Sequence, residues 1–258
     1  AYYGVFVVIT LYLSNILGFT DIQAATIAGV FSACLYLLPT FSGALADKIG
    51  FRKSMLLAFT LLSLGYLGLG LFPNFLASTG LVEYGYVTKF TGLQESGYRY
   101  GIIPIMILII VGGSFIKSVI SGTVAKETDE KSRARGFAIF YGMVNIGAFS
   151  GKVLVTPLRD AMGHEGMIVL NYFSAGMTFL ALIAIYLFYK SDKHAGEGKT
   201  FGQIWTALVK VCTNGRLIVL ILIITGFWMV QHQLYATMPK YVTRLAGEAS
   251  AIGWYANV

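Results

Sequence analysis

Between Gly101 and Gly122 the sequence reads GIIPIMILIIVGGSFIKSVISG, an apolar run with a single charge, Lys117, well inside it. Crossing a bilayer takes about 20 mostly apolar residues at 1.5 Å rise each, and this run supplies them. A charge at that depth costs about 2.5–3.5 kcal/mol on a mild insertion scale. Any fold containing this run must therefore find surroundings for an ammonium group. Ser114, Ser118 and Ser121 fall three and four residues from Lys117 or its neighbours, which makes one helix face polar. Two arrangements suit that face: a wet cleft between helices, or a lysine that snorkels to the nearer membrane edge.

The same kind of run recurs. Apolar segments cover roughly 2–19, 22–46, 54–73, 101–123, 136–158, 167–189 and 217–239, and an eighth starts at Ser250. The chain is 56% hydrophobic and 12% charged, about half the charge of a soluble domain. These proportions define a polytopic, all-α membrane protein. The formal charge of +7 is then explained by membrane topology before nucleic acid, and no basic cluster sits on a soluble fold that could present it to phosphates. Cys34, within a span, and Cys212, in a polar linker, suggest no disulfide framework. Ala1–Phe19 is too long for a signal-peptide core and lacks a basic flank, so the chain is expected to open partway into its first helix.

Lys and Arg set the orientation. The connections at 47–53 and 126–135 and the linker from Lys190 to Arg216 hold twelve of them, against five on the opposite side. An alternating seven-span path reproduces this split and makes the twelve-residue side cytoplasmic. The remaining two, Lys117 and Lys152, lie inside spans, and no acidic residue does. Pro39 and Pro104 fall within spans, where neighbouring helices re-satisfy the freed backbone groups, whereas Pro73, Pro157 and Pro239 mark span ends. Ser191–Thr200 is polar and aperiodic. The expected division is a six-helix bundle over 1–190, a cytoplasmic linker over 191–215 and the start of a second bundle over 216–258. Phe201–Thr213 is expected to be an amphipathic linker helix, either a plain connector or one lying flat on the inner leaflet. Residues 74–100 form a long outer loop rich in Tyr and Gly.

The end of the second segment carries the most specific motif. Gly43-Ala-Leu-Ala-Asp47-Lys48-Ile-Gly50-Phe51-Arg52-Lys53 offers glycines for a tight turn and a close helix contact. Asp47 can cap or pair at a neighbouring helix N-terminus, and Arg52 and Lys53 can anchor the turn at the inner face. This stretch resembles the major facilitator superfamily, whose loop between spans two and three reads G-x-x-x-D-(R/K)-x-G-(R/K)-(R/K); Phe51 departs from it. A narrower resemblance, to the proton-dependent oligopeptide transporter family, rests on several places. One is the spacing Tyr36, Pro39, Gly43, Ala46, Asp47. Another is Ala1-Tyr2-Tyr3-Gly4, similar to the tail of E-x-x-E-R-F-x-Y-Y-G. Gly112–Lys117 is similar to G-x-G-x-F-K-P, and Phe140–Gly147 to F-Y-x-x-(I/V)-N-x-G.

The resemblance implies a major facilitator fold: an N-terminal six-helix bundle, the seventh helix and the start of an eighth, with spans one, four and seven lining a cavity. The implied function is proton-coupled symport of small peptides or peptide-like solutes by alternating access, by a monomer without a cofactor. Tyr2, Tyr3, Tyr36, Lys117, Asn145 and Trp228 would contact the solute, Lys117 meeting its carboxylate. Lys117 and His232 would couple protons, and Gly43, Asp47, Gly50, Arg52 and Lys53 would form a gating loop. The departures are specific. Ser114 and Ser118 replace a glycine and a proline, the turn at Lys48–Gly50 is a residue short, and His232 stands where W-x-x-x-E-Q has its glutamate. The family's E-x-x-E-R acids would lie ahead of Ala1.

From the residues alone, Thr225, Trp228, His232 and Tyr235 recur at three- or four-residue steps on one face. A histidine there either senses protons, since it titrates between pH 5 and 8, or sits neutral and hydrogen-bonded between helices. In the fifth segment Tyr141, Asn145, Ala148 and Lys152 align along a face. Lys152 is either a second cavity charge or an outward snorkel. Gly147 and Gly151 suit close packing, and Tyr2 and Tyr3 suit either a cavity wall or an interface belt. A major facilitator carrier for a drug, sugar or organic anion, by symport or antiport, fits the same loop. A channel or a non-transporting receptor-like relative is separated from both by saturable counterflow. A membrane enzyme has no motif here, since the chain contains neither H-E-x-x-H nor G-x-S-x-G.

Overall fold

The computed structural model describes residues 2–80, 83–84, 90–91, 97–163, 165–190 and 201–247. Side chains at 83–84, 90–91, 159, 201, 208 and 234–236 lie outside that description. The eighth segment, from Ser250, also lies outside the described residues.

The first segment is α1 (Tyr2–Leu11), continued by a π-helical turn over Tyr12–Ile16. Every residue from Gly4 to Ile16 is buried, the expectation for a helix apolar on all sides. This helix is the axis of the bundle. Tyr12 donates its hydroxyl to the Leu69 carbonyl at 2.5 Å, which satisfies the polar tip of the largest side chain in that stretch of core.

The second segment forms two helices, α2 (Asp21–Leu37) and α3 (Pro39–Ile49), bent by 43° at Leu38. Pro39 starts α3 and has no N–H to offer the preceding turn, so the bend falls there. Thr20 opens α2 with a capping box, accepting from the Gln23 N–H while the Gln23 side chain accepts from the Thr20 N–H. Helix α4 (Phe51–Ser78) passes through Pro73, which is buried inside it rather than at its end.

Beyond α4, Glu83–Tyr84 pairs antiparallel with Phe90–Thr91, and a 3₁₀ turn over Gly97–Gly101 leads into α5 (Ile102–Glu127). Pro104 thus occupies the first turn of α5, where a missing N–H matters least. The fifth segment breaks at Leu154 into α6 (Arg133–Val153) and α7 (Val155–Met162), with Pro157 in the shorter piece. Then follow α8 (Glu165–Phe188), α9 (Phe201–Cys212), α10 (Gly215–Ala236) and α11 (Met238–Ala246), which Pro239 opens.

Five of these helical units are long and apolar enough to cross a membrane, and the bent α2–α3 pair makes a sixth. With the shorter α1 they match the seven segments read from the sequence. Helix α4 lies between α5 and α8, and α1 touches α2, α6, α8, α10 and α11. Small residues set the closest approaches: a Cβ on Gly112 would lie 2.8 Å from the Ala58 carbonyl oxygen, and one on Gly65 2.4 Å from Ile109.

Candidate functional site

Lys117 lies deep in α5, and its Nζ is buried with no hydrogen-bond partner among the described residues. Its nearest feature is aromatic. Nζ lies 3.2 Å from the centroid of the Tyr36 ring on α2 and 5.7 Å from that of Tyr2 on α1. A desolvated cation–π contact is worth about 2 kcal/mol, against about 2.5–3.5 kcal/mol for placing the charge at that depth. The ammonium is thus held between helices, and it does not snorkel.

Tyr36 links this charge to a set of rings from three helices. His232 on α10 meets Tyr36 edge-on at 5.4 Å, Phe6 of α1 at 6.1 Å and Trp228 at 5.8 Å. Phe6 in turn stacks on Tyr2 at 5.4 Å. Beside the rings a cavity of about 550 Å³ opens between α1, α2 and α10, in the size range of small-molecule sites. Gly29, Ser32 and Ala33 of α2 make room on one wall, and Phe6, Tyr36, Trp228 and His232 supply the aromatic one. No carboxylate lines it among the described residues. Lys117 and Tyr2 are not among the lining residues; Lys117 reaches the cavity through Tyr36, and the cavity itself can receive flat or apolar groups against the rings. No group of three His, Cys, Asp or Glu among the described residues is placed to hold a metal ion.

The structure therefore assembles Tyr2, Tyr36, Lys117, Trp228 and His232. Tyr2 belongs to this interior and not to an interface belt. Tyr3 touches Tyr2 edge-on at 5.2 Å but turns toward α6, where the Lys152 Nζ lies 5.9 Å from its ring. Lys152 is 8% exposed, so it is buried against α1 and not extended to an outer surface. Asn145 is exposed on α6 and is not among the cavity-lining residues. The Tyr235 side chain lies outside the described residues. Phe6 is an aromatic cavity-lining residue that the sequence did not single out; its signal is the four-residue step from Tyr2 on the same α1 face.

The serines of α5 do not form the wet face expected of them. Ser114 donates to the Val111 carbonyl, Ser118 to that of Ser114 and Ser121 to that of Lys117. Such back-bonding satisfies a hydroxyl within its own helix, and Ser118 also meets Ser42 of α3 at 3.3 Å.

The loop motif lies at the basic end, away from the cavity. A Cβ on Gly43 would come within 3.1 Å of Ser118 Cβ, so the glycine sets the α3–α5 approach. Gly50 has φ 92° and ψ 146°, a conformation that favours glycine. Asp47 pairs with Lys126 at 3.1 Å in the last turn of α5. Its partner is thus a side-chain cation at a helix C-terminus, not a helix N-terminus, because the chain turns back beside the end of α5. Arg52 donates to the Tyr186 carbonyl at 3.1 Å, tying α4 to α8, while Lys53 is exposed.

Residues 1–258 match the family model of the Major Facilitator Superfamily, and the chain belongs to that superfamily of multi-pass membrane transporters. Among curated proteins it is similar to dipeptide and tripeptide permease A of Citrobacter koseri, 27% identical over 249 residues, and to that of Erwinia pyrifoliae, 24% identical over 240. Each alignment covers 92% of this chain and 42% or 43% of the permease, so the chain spans less than half the length of these relatives. In fold it is similar to a proton-dependent oligopeptide transporter, with TM-score 0.58 and 20% identity, covering 95% of this chain and 48% of that one. A POT family transporter in complex with a thioalcohol-conjugated peptide gives TM-score 0.56 and 20% identity, covering 90% and 46%.

Proposed function

We propose that the protein containing this chain is a proton-coupled symporter of small peptides or peptide-like solutes, working by alternating access. The observation that carries the reading is Lys117: a buried ammonium on the face of Tyr36, whose ring lines a cavity between α1, α2 and α10. In this reading the solute carboxylate binds Lys117, and the rings of Phe6, Tyr36 and Trp228 hold its apolar parts. His232 takes the proton, and protonation there changes the relative stability of the inward- and outward-facing states. Similarity to the two permeases supports the choice of solute. Residues 1–190 form one bundle, 191–215 the linker and 216–258 the start of the second bundle. The basic loops face the cytoplasm, the membrane is the cell (inner or plasma) membrane, and the protein works as a monomer.

Uptake of radiolabelled dipeptide by the full-length protein in proteoliposomes, with and without an inward proton gradient, tests this. Accumulation that needs the gradient and fails in Lys117→Met is expected. If no di- or tripeptide accumulates, a panel of sugars, drugs and organic anions scored by thermal stabilisation identifies the solute class that replaces peptides.

A further inference from the structure

Helix α9 carries more apolar surface than the described residues cover. Ile204 is 7% exposed, on the side where α9 packs against α3. At 100° per residue, Trp205, Val209 and Cys212 form a strip adjoining Ile204, and Gln203 and Lys210 lie on the far side. Trp205 and Val209 are 64% and 50% exposed. An uncovered strip holding a tryptophan, beside a face with a lysine, has the pattern of a helix lying in a membrane interface.

Position selects the occupant. Helix α9 ends at Cys212 and α10, long and apolar enough to cross the membrane, begins at Gly215, so α9 lies at the mouth of that span. Exposed bases crowd the same end: Lys210 on α9, Arg216 at the start of α10, Lys48 and Lys53 around the α3–α4 turn, and Lys190 after α8. The exposed acids there, Glu127, Asp129 and Glu130, lie at the α5–α6 connection. A basic rim beside an apolar strip matches an anionic leaflet, where each nearby Lys or Arg contributes about 1 kcal/mol.

We propose that α9 is a lipid-docking helix. Trp205 and Val209 sit among the headgroups and upper acyl chains of the basic-side leaflet, Lys210 and Arg216 contact anionic headgroups, and Ile204 fastens the helix to α3. Docking then ties α3, with Gly43 and Asp47, to the plane of the bilayer. The inference does not depend on the transported solute.

The test places spin labels one at a time at Gln203→Cys and Val209→Cys in full-length protein with Cys34→Ser and Cys212→Ser. The protein is reconstituted in nanodiscs of phosphatidylcholine with or without phosphatidylglycerol. At 209, collisional access should favour oxygen over a water-soluble nickel chelate, and at 203 the reverse. Lys210→Gln should lower the ratio of docked to undocked label about fivefold in the anionic discs, and removing phosphatidylglycerol should lower it further. Trp205→Ser should make 209 accessible to nickel without changing the melting temperature. Equal nickel access at 203 and 209 would overturn the proposal. So would exclusion of both reagents from 209, the mark of a protein partner.

Discussion

The Tyr36 ring beneath Lys117 offsets only part of the charge's desolvation, and no carboxylate lines the neighbouring cavity among the described residues. A buried ion without a counter-ion weakens a fold, and an apolar side chain of similar volume relieves it. Lys117→Met is therefore expected to raise the melting temperature of the ligand-free protein. If the protein is the peptide symporter proposed, dipeptide should raise the melting temperature of the wild type further, and the same substitution should abolish that rise. Scanning fluorimetry of the full-length protein with and without dipeptide measures both; a fall in the ligand-free melting temperature would mean that Lys117 supports the fold. The charge was legible in the sequence because a lysine inside an apolar run has few places to go. Its seat on Tyr36 was not, because the two residues meet only through the packing of α2 on α5. The serines misled for a different reason: a hydroxyl that bonds back to its own helix and one that faces water share the same spacing.

At the level of helices, two glycines of one motif separate cleanly. A Cβ on Gly4 would lie 2.6 Å from the backbone oxygen of Gly151, and neither backbone can swing aside as a flexible side chain would. Gly147 has nothing within 4 Å. Gly4→Ala should thus cost about 1–3 kcal/mol by overpacking the α1–α6 contact, while Gly147→Ala changes stability by less than about 0.5 kcal/mol. Thermal unfolding in detergent compares them, and equal effects would contradict the close α1–α6 approach. Gly50→Ala is expected to cost about 1–3 kcal/mol as well, for backbone strain at positive φ, read by the same melts. The sequence marked Gly151 as a packing residue but could not name its partner. That partner is Gly4, from a different motif, so spacing within one helix does not reveal it. Pro39, read from the sequence as tolerated inside one span, instead divides it into α2 and α3; the π turn after Leu11 has no residue of that kind to mark it.

Across the whole molecule, charge joins the first bundle to α11 at the end opposite the basic loops. Asp21, in the first turn of α2, pairs with Lys240 at 3.1 Å and with Arg244, and Lys240 also donates to Asn15 of the π turn at 2.9 Å. The three charged side chains are all partly or well exposed, so each ion pair is worth about 0.2–1 kcal/mol. That is small for a fold but large for a balance between two conformations, where 1 kcal/mol moves populations about fivefold. If the bundles rock against each other, Asp21→Asn should shift the balance toward states in which α2 and α11 stand apart at this end. Spin labels on the exposed Ile22 and Leu245 report it. Pulsed-EPR distances in the full-length protein should shift from a short population to a longer one in Asp21→Asn, and high salt should shift the wild type the same way. A distance distribution that neither change alters would mean that these side chains rest in contact without holding the two elements together.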